Sequence, residues 1–195
     1  MLCKEAAMLV ASGTMGNLVS TLTHAQRGDE VILGNKAHIF RSEAAGASAL
    51  GGVSYHTVPN DSVGMLDPDD VLNAIRPADV HQPNTAVVAL ENTHNGCGGA
   101  VLTPEQIKTI ADVAHGRDIP VHVDGARVFN AAVALEVPVA ELTSKAYAVA
   151  MARDIDPERA TPSSALGPLR DFHEGTNTTH FSLMDADGNA VSATL

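Results

Sequence analysis

No tryptophan occurs in this chain, and aromatic residues make up only 3% of it. A core of stacked rings is therefore excluded. The interior has to be built from Ala, Val, Leu and Ile, within an apolar content of 45%. Cysteine is scarce as well, and Cys3 and Cys97 alone make no disulfide framework. Basic charge is short: 12 Lys and Arg stand against 23 Asp and Glu, a formal net charge of −11. That balance is the reverse of a nucleic-acid footprint. No apolar run approaches the ~20 residues of a membrane span. The opening Met1-Leu2-Cys3-Lys4-Glu5 lacks the basic-then-apolar layout of a signal peptide. The expectation for the first half is a cytoplasmic protein without membrane or nucleic-acid partners. Lysine is the last shortage: after Arg127 only Lys145 remains.

What is present reads as an open α/β sheet over residues 1–135. Ala7-Met8-Leu9-Val10-Ala11 is a short apolar run that gives way at Ser12-Gly13-Thr14 to a helical pattern through Met15, Leu18, Leu22 and Ala25. Glu30–Gly34 and Gly52–Val58 read as strands, and the Ala-rich stretch from Phe40 to Leu50 as a helix. Asp67-Pro68 is an N-cap with Pro at the first helical position, opening a helix to about Ile75. Thr85–Leu90 is continuously apolar, as a strand buried on both faces should be. Thr103-Pro104-Glu105-Gln106 is a capping box. Ile119–Asp124 closes a strand–helix–strand unit, which predicts a parallel pair.

The style then changes. Val137–Arg153 predicts one amphipathic helix with Leu142, Ala146 and Ala150 on one side, and Ile155–Leu169 a Pro- and Ser-rich loop. Phe181–Met184 and Ala190–Thr194 flank a Gly-containing turn and read as a hairpin. A lone hairpin is marginal in water, so its sheet partners are expected to be missing from this chain. The start likewise reads as lying inside a larger domain.

Four strand ends carry chemistry. Ser12, Gly13 and Thr14 stand where a strand becomes a helix, and backbone N–H groups there suit a phosphate. Asp124-Gly125-Ala126-Arg127 follows a buried strand. A carboxylate in that place can pair with a protonated pyridine nitrogen and keep the ring an electron sink. His38 and His94 follow two further strands, and His38 could lie flat on an aromatic ring. Each feature alone also reads blandly: an N-cap, a strand-end turn with its Arg partner, two surface or satisfied histidines. Convergence at the carboxyl ends of strands, where open α/β sheets collect ligands, gives the combination its weight.

At these residues the sequence resembles a known family. Ala11-Ser12-Gly13-Thr14-Met15-Gly16-Asn17, Arg27-Gly28-Asp29-Glu30, Ala37-His38-Ile39-Phe40, Glu91-Asn92-Thr93-His94-Asn95, Val123-Asp124-Gly125-Ala126-Arg127 and Phe129–Leu135 are similar, in order, to the low-specificity threonine aldolases, which are fold-type-I pyridoxal-phosphate enzymes. The resemblance covers residues 1 to about 142. It implies that Gly13 and Thr14 hold the phosphate and that His38 stacks on the pyridine ring. His94 would assist proton removal at the substrate hydroxyl. Asp124 would pair with the ring nitrogen, and Arg127 would reach the ring hydroxyl. The implied reaction is retro-aldol cleavage of threonine or allo-threonine to glycine and acetaldehyde, in a homo-oligomer acting on a small amino acid. No metal is implied. The family's N-terminal segment, its Schiff-base lysine and its small C-terminal domain have no counterpart in the pattern. Lys145 arrives about one helix too early to be that lysine.

Residues from about 137 to 195 resemble the γ-glutamyltransferases instead. Leu142–Ala148, Arg159-Ala160-Thr161-Pro162-Ser163, Asn177-Thr178-Thr179-His180-Phe181-Ser182 and Asp185–Ser192 carry this likeness. It implies an N-terminal-nucleophile fold in which Thr178, freed by cleavage after Asn177, attacks the substrate. A threonine hydroxyl needs such a neighbouring amine as its base. Without the likeness, the stretch reads as a polar strand entry. Val137–Thr143 fits both families and marks a join. The expected organisation is an aldolase-like unit, residues 1–142, followed by a transferase-like fragment, residues 143–195. Three functional readings follow: an aldolase-family protein without its lysine, a transferase fragment, and a non-catalytic chimera.

Overall fold

The computed structural model describes residues 6–143, 180–184 and 190–194. The chain runs β1 (Ala6–Val10), α1 (Gly13–His24), β2 (Glu30–Gly34), α2 (His38–Arg41), β3 (Ser54–Val58), α3 (Pro68–Ala74), β4 (Thr85–Glu91), α4 (Pro104–His115), β5 (Val121–Asp124), α5 (Val128–Leu135), β6 (His180–Met184) and β7 (Ala190–Thr194). The seven strands form one sheet in the order β1-β6-β7-β5-β4-β2-β3. β2, β3, β4, β5 and β7 pair in parallel, while β6 runs antiparallel to both β1 and β7. The predicted parallel pair is β4 with β5.

Every residue of β2, β4 and β5 is buried, as continuous apolar runs demand in a sheet covered on both faces. The strand period of two sends alternate side chains into two cores. Ile32, Val88, Leu90, Val121 and Val123 pack with Val71 of α3 and with Ile107 and Ile110 of α4. Val31, Leu33, Val87 and Ala89 form the other core, against which Leu18 and Leu22 of α1 pack. Helix starts follow the expected chemistry. Ser12 accepts from the Met15 amide at the head of α1, Asp67 caps α3, and Thr103 with Gln106 closes a reciprocal capping box on α4.

Two expectations are corrected. The Ala-rich stretch is not one helix. α2 ends at Arg41, Ala44 and Ala45 take left-handed backbone (φ 51° and 54°), and a single π-helical turn, Ala47–Gly51, follows. The break turns Glu43 inward, where Asn17 holds it. The hairpin is also not left without partners. β6 pairs with β1 (Leu9 opposite Phe181) and β7 with β5 (Asp124 opposite Ser192), so it sits between the two strands. Hydrogen bonding to two neighbouring strands supplies what an isolated hairpin lacks. The predicted helix from Val137 begins as a 3-10 turn, Val139–Leu142. Its continuation, with Lys145, Ala146 and Ala150, the 155–169 loop and Thr178 lie outside the described residues.

Candidate active site

Six strands, all but β6, run in a common direction and place their carboxyl ends along one edge, where the segments leaving β1, β2, β4 and β5 enclose a cavity of about 330 Å³. Ser12, Gly13, Thr14, His38, Asp124 and Arg127 all line it. Sequence reasoning thus gathered six residues that the fold brings together. The amides of Gly13 and Thr14 belong to the first turn of α1, where backbone N–H groups have no intrahelical acceptor. They and the helix dipole favour an anion at that wall.

Asp124 ends β5 and is buried. Burial, and next the charge of Glu91, push its carboxyl up to about 6. Its hydrogen-bond donors are the Asn17 side chain at 3.0 Å and the Ala126 backbone at 3.3 Å. A buried carboxylate with two neutral donors, and with no lysine or arginine paired to it among the described residues, can accept a cation delivered by a ligand.

His94 does not join the cavity. Its ring is 1% exposed and lies under Gly64, where an added Cβ would come within 2.6 Å of it. Burial, with the positive charges of Lys36 and Arg41, holds its imidazole below the usual range, against the pull of Glu91. Its Nε2 stands 3.8 Å from Glu91 Oε2. The physical reason is the loop after β4. It folds back on itself through Asn92, which exchanges two hydrogen bonds with Leu102, and through the His94 amide bonded to Ala100. The ring is thereby turned into the protein. Of the two residues given catalytic roles, His94 is beneath the site and Thr178 is outside the described residues.

Six lining residues carried no assigned role: Asn17, Glu43, Glu91, Thr93, Asn95 and Ala126. Glu91 accepts the His38 amide and the Asn95 amide, each at 2.7 Å, so one carboxylate fixes the loops after β2 and β4. Asn95 accepts from Arg127 Nη2 at 2.7 Å, steadying the guanidinium at the rim. Asn17 is a bridge. Its amide nitrogen donates to Glu43 at 2.8 Å and to Asp124, while its oxygen lies 3.0 Å from His122 Nε2. Asn17, Glu91, Thr93 and Asn95 all fall inside motifs quoted above. Glu43 was hidden by the helical reading of its neighbours, and Ser42-Glu43-Ala44-Ala45-Gly46 offers only a lone acid among small residues as a signal.

A helix start that favours an anion, an imidazole and a buried carboxylate line one cavity at the carboxyl edge of an open α/β sheet, the class of fold this chain adopts. The Beta-eliminating lyase family model matches residues 1–154, and the chain belongs to that family. The Gamma-glutamyltranspeptidase family model matches residues 122–195, so the two matches overlap over residues 122–154, around the shared stretch Val137–Thr143. Low-specificity L-threonine aldolase 1 of Arabidopsis thaliana is 43% identical over 152 residues, covering 76% of this chain and 42% of the relative. Low specificity L-threonine aldolase of Escherichia coli (strain K12) is 41% identical over 140 residues, covering 72% and 41%. The chain therefore spans about two-fifths of the length of these relatives. The threonine aldolase of Leishmania major shares the fold, with a TM-score of 0.63 at 22% identity over 71% of this chain and 40% of that one. The sheet is a partial fold-type-I, pyridoxal-phosphate-dependent transferase-like sheet.

Members of this family use pyridoxal 5′-phosphate. The residues present fit that group. The first turn of α1 offers amides to a phosphate, and among the described residues Asp124 has only neutral donors, which leaves its charge to a protonated ring nitrogen.

Proposed function

We propose that residues 1–142 are the cofactor-binding part of a low-specificity threonine aldolase-type site, and that this chain holds the cofactor without turning over substrate. The carrying observation is the buried Asp124 carboxylate, held by two neutral donors and facing an anion-binding helix start across one cavity. The bound group would supply an electron sink for breaking a carbon–carbon bond. Ser12, Gly13 and Thr14 would hold its phosphate, Asp124 its ring nitrogen, His38 one face, and Arg127 the rim. The family reaction would cleave threonine or allo-threonine, small amino acids, to glycine and acetaldehyde.

Turnover would be blocked because no lysine among the described residues lines the cavity. Lys36 Nζ donates to the Asp61 carbonyl and Lys108 pairs with Asp112 on α4, and neither lines the cavity. Lys145 falls where the two family matches overlap, residues 122–154, about one helix earlier than the family's lysine is expected. The proposed organisation is 1–142 and 143–195, from two sources. The test adds pyridoxal phosphate and threonine, follows acetaldehyde, then reduces with borohydride and maps any adduct. No acetaldehyde and no stoichiometric lysine adduct are expected; an adduct at Lys145 with turnover would overturn the reading.

The match over residues 122–195 favours a second reading, a γ-glutamyltransferase fragment with Thr178 as nucleophile. Intact mass decides it: self-processing leaves a fragment beginning at Thr178, and a single unprocessed mass rejects it.

A further inference from the structure

Two carboxyl groups in the cavity face each other across one amide. Glu43 has 5% of its side chain exposed, Asp124 is buried, and both hydrogens of the Asn17 amide are committed, one to Glu43 Oε1 and one to Asp124 Oδ2. The other Glu43 oxygen has no donor among the described residues. Ionising both acids would put two negative charges on one neutral group in a site that Glu91 already makes negative. The groups that face Glu43 are Asn17 from α1, His38 from α2 (Nε2 at 3.9 Å), Tyr55 from β3, Glu91 from β4 and Asp124 from β5. Arg127 lies on the same cavity wall as Asp124.

We propose that Glu43 and Asp124, bridged by Asn17, form a one-proton pair, and that a ligand with a cationic ring displaces the proton held on Glu43. The inference rests on the proposed cofactor site. Burial favours the protonated Glu43 first and the charge of Asp124 adds to it; a ring cation on Asp124 removes that added charge, so Glu43 ionises and its proton leaves to solvent. Occupancy and protonation are then linked, and the pair titrates as a unit rather than as two separate acids. Burial first, then Asp124 and Glu91, push the Glu43 carboxyl up to about 7, so the pair changes state near neutral pH.

The test is calorimetric titration of the full chain with pyridoxamine 5′-phosphate at pH 7, in two buffers of unlike protonation enthalpy. The difference in heat counts protons released on binding. Wild type is expected to release about half a proton more per site than Glu43→Gln, the fraction a group titrating near that pH carries. An infrared difference spectrum of wild type gives a second reading that needs no variant: a protonated-carboxyl band should vanish as ligand is added. Equal proton release by wild type and Glu43→Gln, both binding, overturns the one-proton pair and leaves the cofactor site standing. An unchanged carboxyl band on saturation does the same. Failure of wild type to bind overturns the site and the pair together.

Discussion

Glu91 and His38 are joined by a short hydrogen bond: the His38 amide donates to Glu91 Oε2 at 2.7 Å, and it ties the loop after β2 to the end of β4. The imidazole that faces the cavity is therefore placed by backbone, not by its own ring contacts. Glu91→Gln keeps one acceptor but turns an N–H toward one of the two amides. Loss of about 1–3 kcal/mol of stability is expected. Amide hydrogen exchange at His38 and Asn95 should accelerate in the variant, and unchanged exchange at both would contradict this placement.

Stability should fall as pH rises through the range set by the paired acids. Glu43 rises from 4.5 to about 7 and Asp124 from 3.8 to about 6 in the folded chain. Between the unfolded and folded values the native state holds more protons than the unfolded one. Unfolding free energy then decreases with increasing pH. The penalty is absent below about pH 4 and complete above about pH 7, the values just given. Glu43→Gln should flatten this slope, gaining on the order of a few degrees in Tm at pH 8 relative to wild type. Melting curves at pH 5 and pH 8 check it.

Gly64 carries a positive φ of 88° directly over the His94 ring. Gly64→Ala combines backbone strain with a collision at 2.6 Å, and a loss of roughly 2–4 kcal/mol is expected. Gly98 has a φ of 73° and nothing within 4 Å of an added Cβ. Gly98→Ala should therefore cost only about 1 kcal/mol. Chemical denaturation of the two variants side by side measures the difference, and equal losses would remove His94 from beneath Gly64.

The hairpin lies inside the sheet, so its backbone matters. Val191 of β7 stands opposite Val123 of β5 and Leu183 of β6. Val191→Pro deletes a ladder donor in a strand paired on both sides, which should cost about 3 kcal/mol or more. An unchanged melting temperature would show that β7 is not paired there.

Much of this architecture was legible because local signals agreed with one another. The apolar runs at Glu30–Gly34 and Thr85–Leu90, the capping box at Thr103 and the Asp67-Pro68 start each name their own element. Strand ends then located Ser12, Gly13, Thr14, His38, Asp124 and Arg127, which line one cavity. What stayed hidden depends on contacts far apart in sequence. Asn17 and Asp124 meet across 107 positions, and nothing near Asn17 announces a bridge. Glu43 lay in an Ala-rich stretch whose helical propensity was overridden by the left-handed turn at Ala44 and Ala45. His94 had the right neighbours but the wrong direction, because the Asn92–Leu102 clasp turns its loop inward. The hairpin's partners were missed because strand pairing is set by the whole sheet, not by the hairpin's own sequence.

The measurement closest to the central claim is the affinity of the full chain for pyridoxamine 5′-phosphate, with and without the Asp124 carboxylate. Wild type should bind saturably, and Asp124→Asn, which keeps the shape but removes the charge opposite the ring nitrogen, should bind at least tenfold more weakly, about 1.4 kcal/mol. Equal affinity of the two proteins, or no binding by wild type, would contradict the account.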